Sequence, residues 1–395
     1  MVDREISSYC RSTFQQYPVV TITGPRQSGK TTFCRTVFDH LPYANLENPD
    51  VRSFALEDPR GFLNQFPEGA VLDEVQRTPD LVSYIQPRVD EAHKNGLFVL
   101  TGSQQLNVSQ TISQSLAGRT GLIRLLPFSL AEARQLSPMD SVESLLYTGF
   151  YPRIHDQKLS PTQALADYFE TYVERDLRQL SELKNLSAFQ RFVRLCAGRV
   201  GQLLNLQNLG NDAGITHTTA REWLSLMETS YIVFLLPPFH GNLSKRLIKS
   251  PKLYFYDVGL AAYLLGIERE GQLATHPLRG SLFENAVVME VLKYRYNTGR
   301  TSNLNFYRDS NGHEVDLVYN IAQYPLSIEI KAGQTIAPDF FKGLDHFRKL
   351  NLSGAYPSIL VYGGDEQQQR SHTLVTTIHR LAAVLGGIED QRANA

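Results

Sequence analysis

Eight consecutive residues near the amino terminus have the types and spacing needed to hold the phosphates of a nucleotide. Positions 24–31 read Gly-Pro-Arg-Gln-Ser-Gly-Lys-Thr and follow an apolar run over 19–22. In such a loop the glycines let backbone N–H groups surround the phosphates, the lysine reaches the β and γ phosphates, and the threonine hydroxyl binds Mg²⁺. The residues after it predict a helix whose N-terminus faces the anion. We therefore predict a site for ATP and Mg²⁺ formed by Gly24, Pro25, Arg26, Gln27, Ser28, Gly29, Lys30, Thr31 and Thr32.

An acidic pair suited to metal binding and water activation follows about forty residues later. Asp73 and Glu74 end the apolar run 70–72. Asp73 would hold Mg²⁺ together with Thr31, and Glu74 would polarise the water that attacks the γ-phosphate. Acidic residues also end many strands at a protein surface, but the position of this pair after a complete phosphate loop favours the catalytic interpretation.

The segments between these motifs alternate between strand and helix patterns. A helix is predicted over about 80–95, a strand over 97–101 and a further strand over 122–125, so the core is expected to end near residue 135. This alternation indicates a parallel, doubly wound sheet, and ligands bind at the carboxyl ends of its strands. Ser103 or Gln104, directly after the strand 97–101, is thus a candidate sensor of the γ-phosphate or of the attacking water.

Arg119 is a candidate for stabilising the charge that develops during phosphoryl transfer. It lies in Leu-Ala-Gly-Arg, between the sensor segment and the last predicted strand. An arginine there would act on a phosphate of its own chain or of a neighbouring subunit, so a homo-oligomer is one expectation. The sequence leaves three alternative arginines open: Arg26, Arg153 and Arg175.

These motifs together resemble a family of prokaryotic AAA-type ATPases. The resemblance is carried by Gly-Pro-Arg-Gln-Ser-Gly-Lys-Thr-Thr, Val-Leu-Asp-Glu-Val-Gln, Leu-Thr-Gly-Ser-Gln, Leu-Ala-Gly-Arg and Leu-Pro-Phe-Ser-Leu-Ala-Glu. It implies ATP binding and an α/β P-loop NTPase core of the AAA type over 1–135. Residues 146–152 and 172–176 are similar to the helical lid of that family, which we place at 136–198. The carboxyl half is similar to its associated domain of unknown function.

A helix-turn-helix pattern occupies the middle of the chain. Helical spacing over 205–212 and 218–228 flanks a turn at Gly214, and a strand hairpin is expected afterwards. This predicts a winged-helix module over 199–270, acting either as a DNA contact or only as a packing element. Trp223 is expected to be a core anchor of the second helix. The cations expected in the hairpin loop, where they would meet a DNA backbone, are Lys245, Arg246, Lys249 and Lys252.

Four charged residues of the carboxyl segment 271–395 could form a second metal site. Glu284 lies on an otherwise apolar helix, Asp316 lies on a predicted strand, and Glu329 and Lys331 share one face of the next strand. This D…E-x-K arrangement and the order α-β-β-β-α-β-α, with a loop at the glutamine-rich stretch 367–369 and a last helix near 375–385, resemble restriction-endonuclease-like nucleases. The resemblance implies Mg²⁺ at Glu284, Asp316 and Glu329, with Lys331 orienting the attacking water. A plain salt bridge of Lys331, and a domain that binds without cleaving, stay open.

The composition excludes several classes of protein and leaves two functions open. The formal net charge of −1 gives no general basic surface, and three separated cysteines and ten unclustered histidines indicate neither disulfides nor zinc. No leader or membrane segment is recognised, so a cytoplasmic protein without a membrane partner is expected. We expect an ATPase that processes duplex or branched DNA. The alternative is a nucleotide-switched regulator whose carboxyl domain binds a protein partner without cleavage.

Overall fold

The computed structural model describes residues 2–102, 115–173, 185–239, 249–321, 324–350 and 357–393. The chain divides into two compact units. The first combines Met1–Phe128 with the short segments Thr229–Tyr231 and Arg295–Arg300. The rest of the chain forms the second unit. Among the described residues, every helix is too short or too polar to cross a membrane.

The first unit is built on a five-stranded sheet in the order β2-β3-β4-β1-β5. All neighbouring strands are parallel, as the alternating sequence pattern predicted. The residues of β1, β3 and β4 are buried because helices cover both faces of such a sheet, whereas the edge strands β2 and β5 are partly exposed. The strands are β1 Val19–Thr23, β2 Tyr43–Asn45, β3 Ala70–Asp73, β4 Phe98–Gly102 and β5 Thr120–Arg124.

Five helices accompany this sheet among the described residues of the first unit, and local sequence signals explain where two of them start. Asn48 accepts a hydrogen bond from the Asp50 N–H at the start of α3, and Asp58 caps α4 in the same way, each directly before a proline. The helices are α1 Ser7–Gln16, α2 Lys30–Val37, α3 Pro49–Glu57, α4 Pro59–Asn64 and α5 Leu81–Ala92.

The second unit begins with short helices in the segment predicted to be a helical lid. Ser129 and Glu132 form a reciprocal capping box at the start of α6. The helices are α6 Leu130–Ala133, α7 Val142–Thr148, α8 Pro152–Asp156, α9 Pro161–Tyr168 with a π-helical turn over Phe169–Val173, and α10 Leu186–Ala197.

The predicted helix-turn-helix is present as α11 Leu206–Ala213 and α12 His217–Thr229. Gly214 has φ 73° and ends the first helix, and Thr216 accepts a hydrogen bond from the Thr219 N–H at the start of the second. Trp223 is 6% exposed and packs edge-on against Phe189 and Phe192, which confirms it as a core anchor.

An antiparallel pair, β6 Val233–Leu236 and β7 Lys252–Phe255, follows the helix-turn-helix. Lys245 and Arg246 lie outside the described residues, and Lys249 is exposed. The prediction that Lys252 belongs to the exposed hairpin loop is wrong. Lys252 is the first residue of β7 and only 3% exposed, because its ammonium group pairs with buried carboxylates.

The carboxyl segment forms a six-stranded mixed sheet in the order β12-β13-β11-β10-β9-β8. Strands β8, β9 and β10 are antiparallel neighbours, whereas β10, β11 and β13 run parallel. The strands are β8 Leu304–Arg308, β9 Glu314–Ile321, β10 Tyr324–Lys331, β11 Ser358–Tyr362, β12 Gln368–Arg370 and β13 Thr373–Thr377. The helices of this part are α13 Val258–Leu264, α14 Arg279–Asn297, α15 Lys342–Lys349 and α16 Leu381–Ala393.

Two sequence-based expectations for this segment are wrong. The helix expected near 375–385 is replaced by β13 and the later helix α16, because Thr373–Thr377 is rich in β-branched residues that favour a strand. The glutamine-rich stretch expected to be a loop contains β12, which pairs with β13. The described order is therefore α-β-β-β-α-β-β-β-α rather than the predicted α-β-β-β-α-β-α.

Candidate functional site

The phosphate loop, residues 24–31, connects β1 to α2 at the carboxyl edge of the five-stranded sheet. Gly29 has φ 87° at the start of α2, a left-handed conformation that glycine adopts without strain. A Cβ atom on Gly24 would lie 2.1 Å from the carbonyl oxygen of Leu125. Larger residues at position 24 would therefore displace the backbone of the loop.

The buried side chain of Arg4 holds the backbone of this loop by hydrogen bonds. Its guanidinium donates to the carbonyl oxygens of Ser28 at 2.9 Å and Leu126 at 2.7 Å. Ser28 is fully buried, and its hydroxyl oxygen has no hydrogen-bond partner among the described residues. A buried hydroxyl without a partner inside a loop of this kind is consistent with a site shaped for an additional polar ligand.

Lys30 extends back over the loop, where its ammonium group donates to the carbonyl oxygens of Gly24 at 3.0 Å and Pro25 at 2.8 Å. Burial lowers the pKa of Lys30 to about 8, although the nearby charges of Glu74 and Asp73 act in the opposite direction. An anion such as a phosphate would favour the protonated lysine.

Asp73 joins the phosphate loop to the carboxyl end of β3. Its Oδ2 atom accepts hydrogen bonds from the hydroxyls of Thr31, at 2.7 Å, and Tyr43. Its Oδ1 atom accepts a hydrogen bond from the Thr101 hydroxyl on β4, the strand between β3 and β1. Burial, followed by the hydrogen bond to Asp73, raises the pKa of Tyr43 above its ordinary value. The fold thus brings together the two predicted Mg²⁺ ligands, Thr31 and Asp73.

Glu74 directly follows β3 and has a left-handed backbone conformation, with φ 61° and ψ 45°. Its N–H donates to the Thr101 hydroxyl at 3.3 Å, and its carboxylate accepts a hydrogen bond from the Gln76 side chain. A glutamate rarely adopts this conformation, which often marks a functional constraint. The neighbouring carboxylates of Asp73 and Glu74 thus have different hydrogen-bond partners, Thr31 for Asp73 and Gln76 for Glu74.

Arg119 lies at the end of the sheet where the strands begin, whereas the phosphate loop lies at the end where β1 finishes. The Val19 N–H, at the start of β1, donates to the Arg119 carbonyl oxygen, whereas the loop begins after Thr23. At about 3.3 Å per residue, β1 separates the two by about 13 Å. The Arg119 guanidinium forms a bidentate pair with Asp90 at 2.6 and 2.8 Å. This position and this pairing disfavour contact with a phosphate of the same chain, and the action of Arg119 on its own or a neighbouring chain remains a prediction.

The remaining predicted residues of this region are only partly informative. Ser103, Gln104 and Arg175 lie outside the described residues. Arg26 and Gln27 are half-buried in the loop, and Thr32 is exposed on the first turn of α2. Arg153 is exposed in the second unit and donates to Gln157 at 3.2 Å.

The second unit brings the four predicted residues of the carboxyl site together. Lys331 contacts Glu329 at 2.6 Å and Asp316 at 3.4 Å. The Ile330 N–H donates to Asp316 Oδ2 at 2.9 Å. Strand pairing explains this arrangement: Ile328 on β10 is opposite Leu317 on β9, so Glu329 and Asp316 are neighbours on one face.

Lys252 and Glu314, which were not predicted to belong to this site, complete the group. Lys252 contacts Glu284 at 2.9 Å, Glu314 at 2.5 Å and Asp316 at 3.8 Å. Tyr254 donates its hydroxyl to Glu284 at 2.5 Å. We define the acidic cluster as Lys252, Glu284, Glu314, Asp316, Glu329 and Lys331.

Burial dominates the electrostatics of the acidic cluster. It raises the pKa of Glu284 to about 7 and that of Glu329 to about 8, and the charge of Asp316 adds to both shifts. Lys252 opposes the shift of Glu284, and Lys331 opposes that of Glu329. Burial acts to lower the pKa of Lys252, but Tyr254 and the surrounding carboxylates raise it well above its ordinary value. A protonated lysine therefore lies among the carboxylates.

Three parts of the chain match models of protein families, and one of these families has a descriptive name. Residues 16–134 match the model of a family described as an AAA domain. This segment is similar to an AAA domain. Residues 139–271 and 279–381 match two families described as domains of unknown function, DUF8612 and DUF4143. We refer to 16–134 as the AAA domain below.

Curated relatives cover nearly the whole chain. The chain is similar to uncharacterized proteins of Mycobacterium bovis and Mycobacterium tuberculosis. Each is 29% identical over 390 residues, which is 98% of this chain and 86% of the relative.

Two solved structures are similar to parts of the chain at low identity. The Walker-type ATPase of Pyrococcus abyssi is 14% identical, with 67% of this chain and 96% of that chain covered and a TM-score of 0.47. AMPPCP-bound DnaA from Aquifex aeolicus is also 14% identical, with 56% and 85% covered and a TM-score of 0.31.

Three functional candidates escaped prediction from the sequence. Arg124 is paired in register with Thr23, so it lies beside the start of the phosphate loop of the AAA domain, and it donates to the Tyr296 hydroxyl at 3.2 Å. Register between parallel strands is not visible in one sequence. Lys252 and Glu314 resemble ordinary surface charges at strand ends, and only the tertiary fold brings them to Glu284.

Proposed function

We propose that the AAA domain binds ATP with Mg²⁺ and hydrolyses it. The observation that carries this proposal is the hydrogen bond of 2.7 Å between the Thr31 hydroxyl and Asp73 Oδ2. It brings a hydroxyl and a carboxylate, both oxygen ligands that Mg²⁺ prefers, to the same edge of the sheet as Lys30.

The residues present fit a nucleoside triphosphate. The close approach of Gly24 to the Leu125 carbonyl, the partnerless Ser28 hydroxyl and the start of α2 at Lys30 together form a loop suited to phosphate oxygens. Lys30 would exchange its contacts with the Gly24 and Pro25 carbonyls for the β and γ phosphates. Bound Mg²⁺ would neutralise phosphate charge, and Thr31 and Asp73 are the residues that would hold it.

Glu74 is the residue we assign to activation of the attacking water. Its carboxylate accepts a hydrogen bond from Gln76 and not from Thr31, so it is distinct from the carboxylate that would hold the metal. The Glu74 N–H contact with Thr101 fixes the backbone from which this side chain extends. Release of the Gln76 hydrogen bond would leave the carboxylate free to orient water.

ATP turnover by the purified full chain tests this proposal. We expect Mg²⁺-dependent hydrolysis in the wild type and its loss in Lys30→Ala. Lys94→Ala is a matched control, because Lys94 is an exposed lysine of the same unit, paired with Glu68 at 2.9 Å. Turnover that survives Lys30→Ala would overturn the assignment of the phosphate loop.

The acidic cluster supports a second function: action on the phosphodiester backbone of duplex or branched DNA. Glu284, Asp316 and Glu329 supply carboxylate oxygens suited to Mg²⁺, and the Oε2 atom of Glu329 is buried without a hydrogen-bond partner among the described residues. Lys331, with a side chain 31% exposed, is the most accessible member of the Lys331–Glu329–Asp316 group and would meet a phosphate first. The restriction-endonuclease-like fold and cleavage of DNA are parts of this proposal.

One observation favours the alternative of a nucleotide-switched regulator that binds a protein partner without cleavage. Lys252 already supplies a positive charge to Glu284, Glu314 and Asp316, and Arg308 contacts Glu314 at 3.1 Å. A cluster compensated from within has less need for a metal ion. The near-neutral net charge of −1 also favours a partner other than DNA.

Two measurements separate these functions. ATP turnover with duplex, single-stranded and branched DNA, at low and high salt, should rise with DNA and lose that stimulation as salt increases if DNA is the partner. Cleavage of the same DNAs should disappear in Asp316→Asn and Lys331→Ala but persist in the exposed control Lys349→Ala. Turnover indifferent to every DNA, with no cleavage, would favour the regulator.

A further inference from the structure

A second group of metal-binding side chains lies at the hairpin between β8 and β9, separate from the acidic cluster. It consists of Asp309, directly after β8, His313, directly before β9, and His346 on α15. One potential ligand atom from each residue lies within 4.8 Å of the other two. Because the two histidines are 33 positions apart in the sequence, their spacing does not indicate a cluster.

The two oxygens of Asp309 have different surroundings. Oδ1 accepts hydrogen bonds from the N–H groups of Asn311 at 2.9 Å and His313 at 3.0 Å, which shape the turn. His313 Nδ1 lies 3.3 Å from Oδ1 and 3.1 Å from Oδ2, and His346 Nε2 lies 3.3 Å from Oδ2. A role in the turn therefore explains Oδ1, but it does not explain why two imidazole nitrogens approach Oδ2.

These separations match those between neighbouring ligands of one metal ion. Zinc binds histidine nitrogen and carboxylate oxygen at about 2.0–2.2 Å, so tetrahedral ligand atoms lie about 3.3 Å apart. The distances from Oδ2 to the two nitrogens are close to this value. Two imidazoles and one carboxylate also select a transition metal over Mg²⁺, which prefers oxygen ligands.

The rings would have to move slightly to hold one ion. The His313 and His346 rings are stacked, with centroids 3.7 Å apart and planes inclined by 1°. An imidazole nitrogen directs its lone pair within the ring plane, so one ring must tilt. His313 has a side chain 46% exposed, whereas that of His346 is 23% exposed, so His313 is the ring with more freedom to do so.

The scaffold beneath these ligands is rigid. Phe347, next to His346, is fully buried and packs against Tyr307 with ring centroids 5.1 Å apart. The Asp309 N–H donates to the His313 carbonyl oxygen at 3.0 Å, which closes the turn. Tyr307 is 1% exposed, and its hydroxyl has no hydrogen-bond partner among the described residues. The centroid of its ring lies 6.4 Å from that of His346, so a buried hydroxyl group belongs to the surroundings of the three ligands.

We propose that Asp309, His313 and His346 bind one divalent transition-metal ion of the zinc class, with exposed His313 leaving room for water or an external ligand at a fourth position. Three protein ligands and one open position are the arrangement of zinc sites that bind a water or a substrate. This site is independent of the nucleotide site and of the acidic cluster.

Zinc titration of the chelator-treated full chain tests the proposal, with excess Mg²⁺ present to occupy oxygen-ligand sites. Calorimetry should show about one Zn²⁺ per chain, and Co²⁺ should give visible absorption bands typical of nitrogen and oxygen ligands. We expect His346→Ala and His313→Ala each to weaken Zn²⁺ binding by about 100-fold or more. His372→Ala, at an exposed histidine on the same sheet, should bind as the wild type does.

Asp309→Asn should remove a metal ligand without disturbing the fold, because the amide oxygen can still accept the hydrogen bonds of the turn. Zn²⁺ should raise the melting temperature of the wild type and of His372→Ala but leave that of Asp309→Asn unchanged. Absence of Zn²⁺ binding by the wild type would overturn the proposal. Binding that persists in all three ligand variants would overturn it equally, since the ion would then lie elsewhere.

Discussion

The Thr31 hydroxyl donates a hydrogen bond of 2.7 Å to Asp73 Oδ2. This contact connects the phosphate loop after β1 with the end of β3, although β4 lies between these strands in the sheet. Thr101 on β4 and Tyr43 on β2 hold the same carboxylate. Three strands thus position one carboxylate beside the threonine of the loop, which is the arrangement that a shared metal ion requires.

Removal of the Asp73 charge should impair Mg²⁺-dependent turnover. Asp73→Asn keeps the size and the hydrogen-bond acceptor of the side chain but loses the charge that holds the metal. We expect ATP turnover to fall by about 100-fold or more, since metal and electrostatic stabilisation contribute several kcal/mol to phosphoryl transfer. Turnover against Mg²⁺ concentration measures the effect. Asp39→Asn, at an exposed carboxylate of the same unit, is the control and should match the wild type.

Glu74→Gln should separate ATP binding from hydrolysis. The substitution retains the size of the side chain but removes its capacity to accept a proton, so turnover should fall by about 10²–10⁴-fold. Affinity for ATP should stay close to that of the wild type, because Lys30 and the loop are unchanged. Equilibrium binding of a fluorescent ATP analogue and turnover are measured side by side. Turnover within twofold of the wild type would assign water activation to another residue.

Arg119 should act only between chains, because it lies at the opposite end of the sheet from its own loop. We expect Arg119→Ala to lower turnover by about 10³-fold if it is the trans arginine. A mixture of the Arg119→Ala and Lys30→Ala proteins should then recover activity, since one chain supplies the loop and the other the arginine. Arg60→Ala is an exposed control. Failure of the mixture to exceed either variant alone would remove Arg119 from the mechanism.

The acidic cluster should make the metal-free protein less stable as the pH rises. Glu284 and Glu329 have pKa values raised to about 7 and about 8 from an ordinary 4.5, mainly by burial. The folded state therefore holds protons that the unfolded state releases, so this contribution is complete below about pH 4.5 and is lost as the pH rises to about 8. Denaturant unfolding from pH 5 to 9 measures the effect. The decline should be smaller in Glu329→Gln, and an identical decline would contradict the assignment.

Lys252 should contribute strongly to stability, in contrast to its neighbour Lys249. Lys252→Met leaves Glu284, Glu314 and Asp316 without their buried cation, which should lower the free energy of unfolding by about 3–5 kcal/mol. Lys249 is exposed, so Lys249→Met should change it by less than about 0.5 kcal/mol. Urea denaturation measures both. Similar values for the two variants would show that the charges around Lys252 do not depend on it.

The sequence could propose residues for a nucleotide site because the chemistry of such a site is encoded locally. The loop 24–31 needs only consecutive residues, and Asp73 and Glu74 needed only the ends of parallel strands to coincide. The register of the sheet was not accessible in the same way. Arg119 and Arg124 are five residues apart, yet they lie at opposite ends of β5, and only the pairing of Thr23 with Arg124 reveals which one is near the loop.

The carboxyl segment was predicted less completely because its contacts are long-range. Glu329 and Lys331 could be assigned to one face from the period of a strand. Lys252 could not be assigned to the acidic cluster, since a lysine among polar residues predicts an exposed loop. Likewise, the end of the strand Thr373–Thr377, from Val375 onward, was interpreted as the start of a helix because its apolar residues fit both periods.

The central claim is that the loop 24–31, Asp73 and Glu74 form one site that binds and hydrolyses ATP. The most direct measurement follows the fate of radiolabelled ATP in a single turnover by the wild type, Lys30→Ala and Glu74→Gln. We expect the wild type to convert bound ATP to ADP, Glu74→Gln to bind ATP without converting it, and Lys30→Ala to bind no nucleotide. Conversion at the wild-type rate in both variants would contradict it.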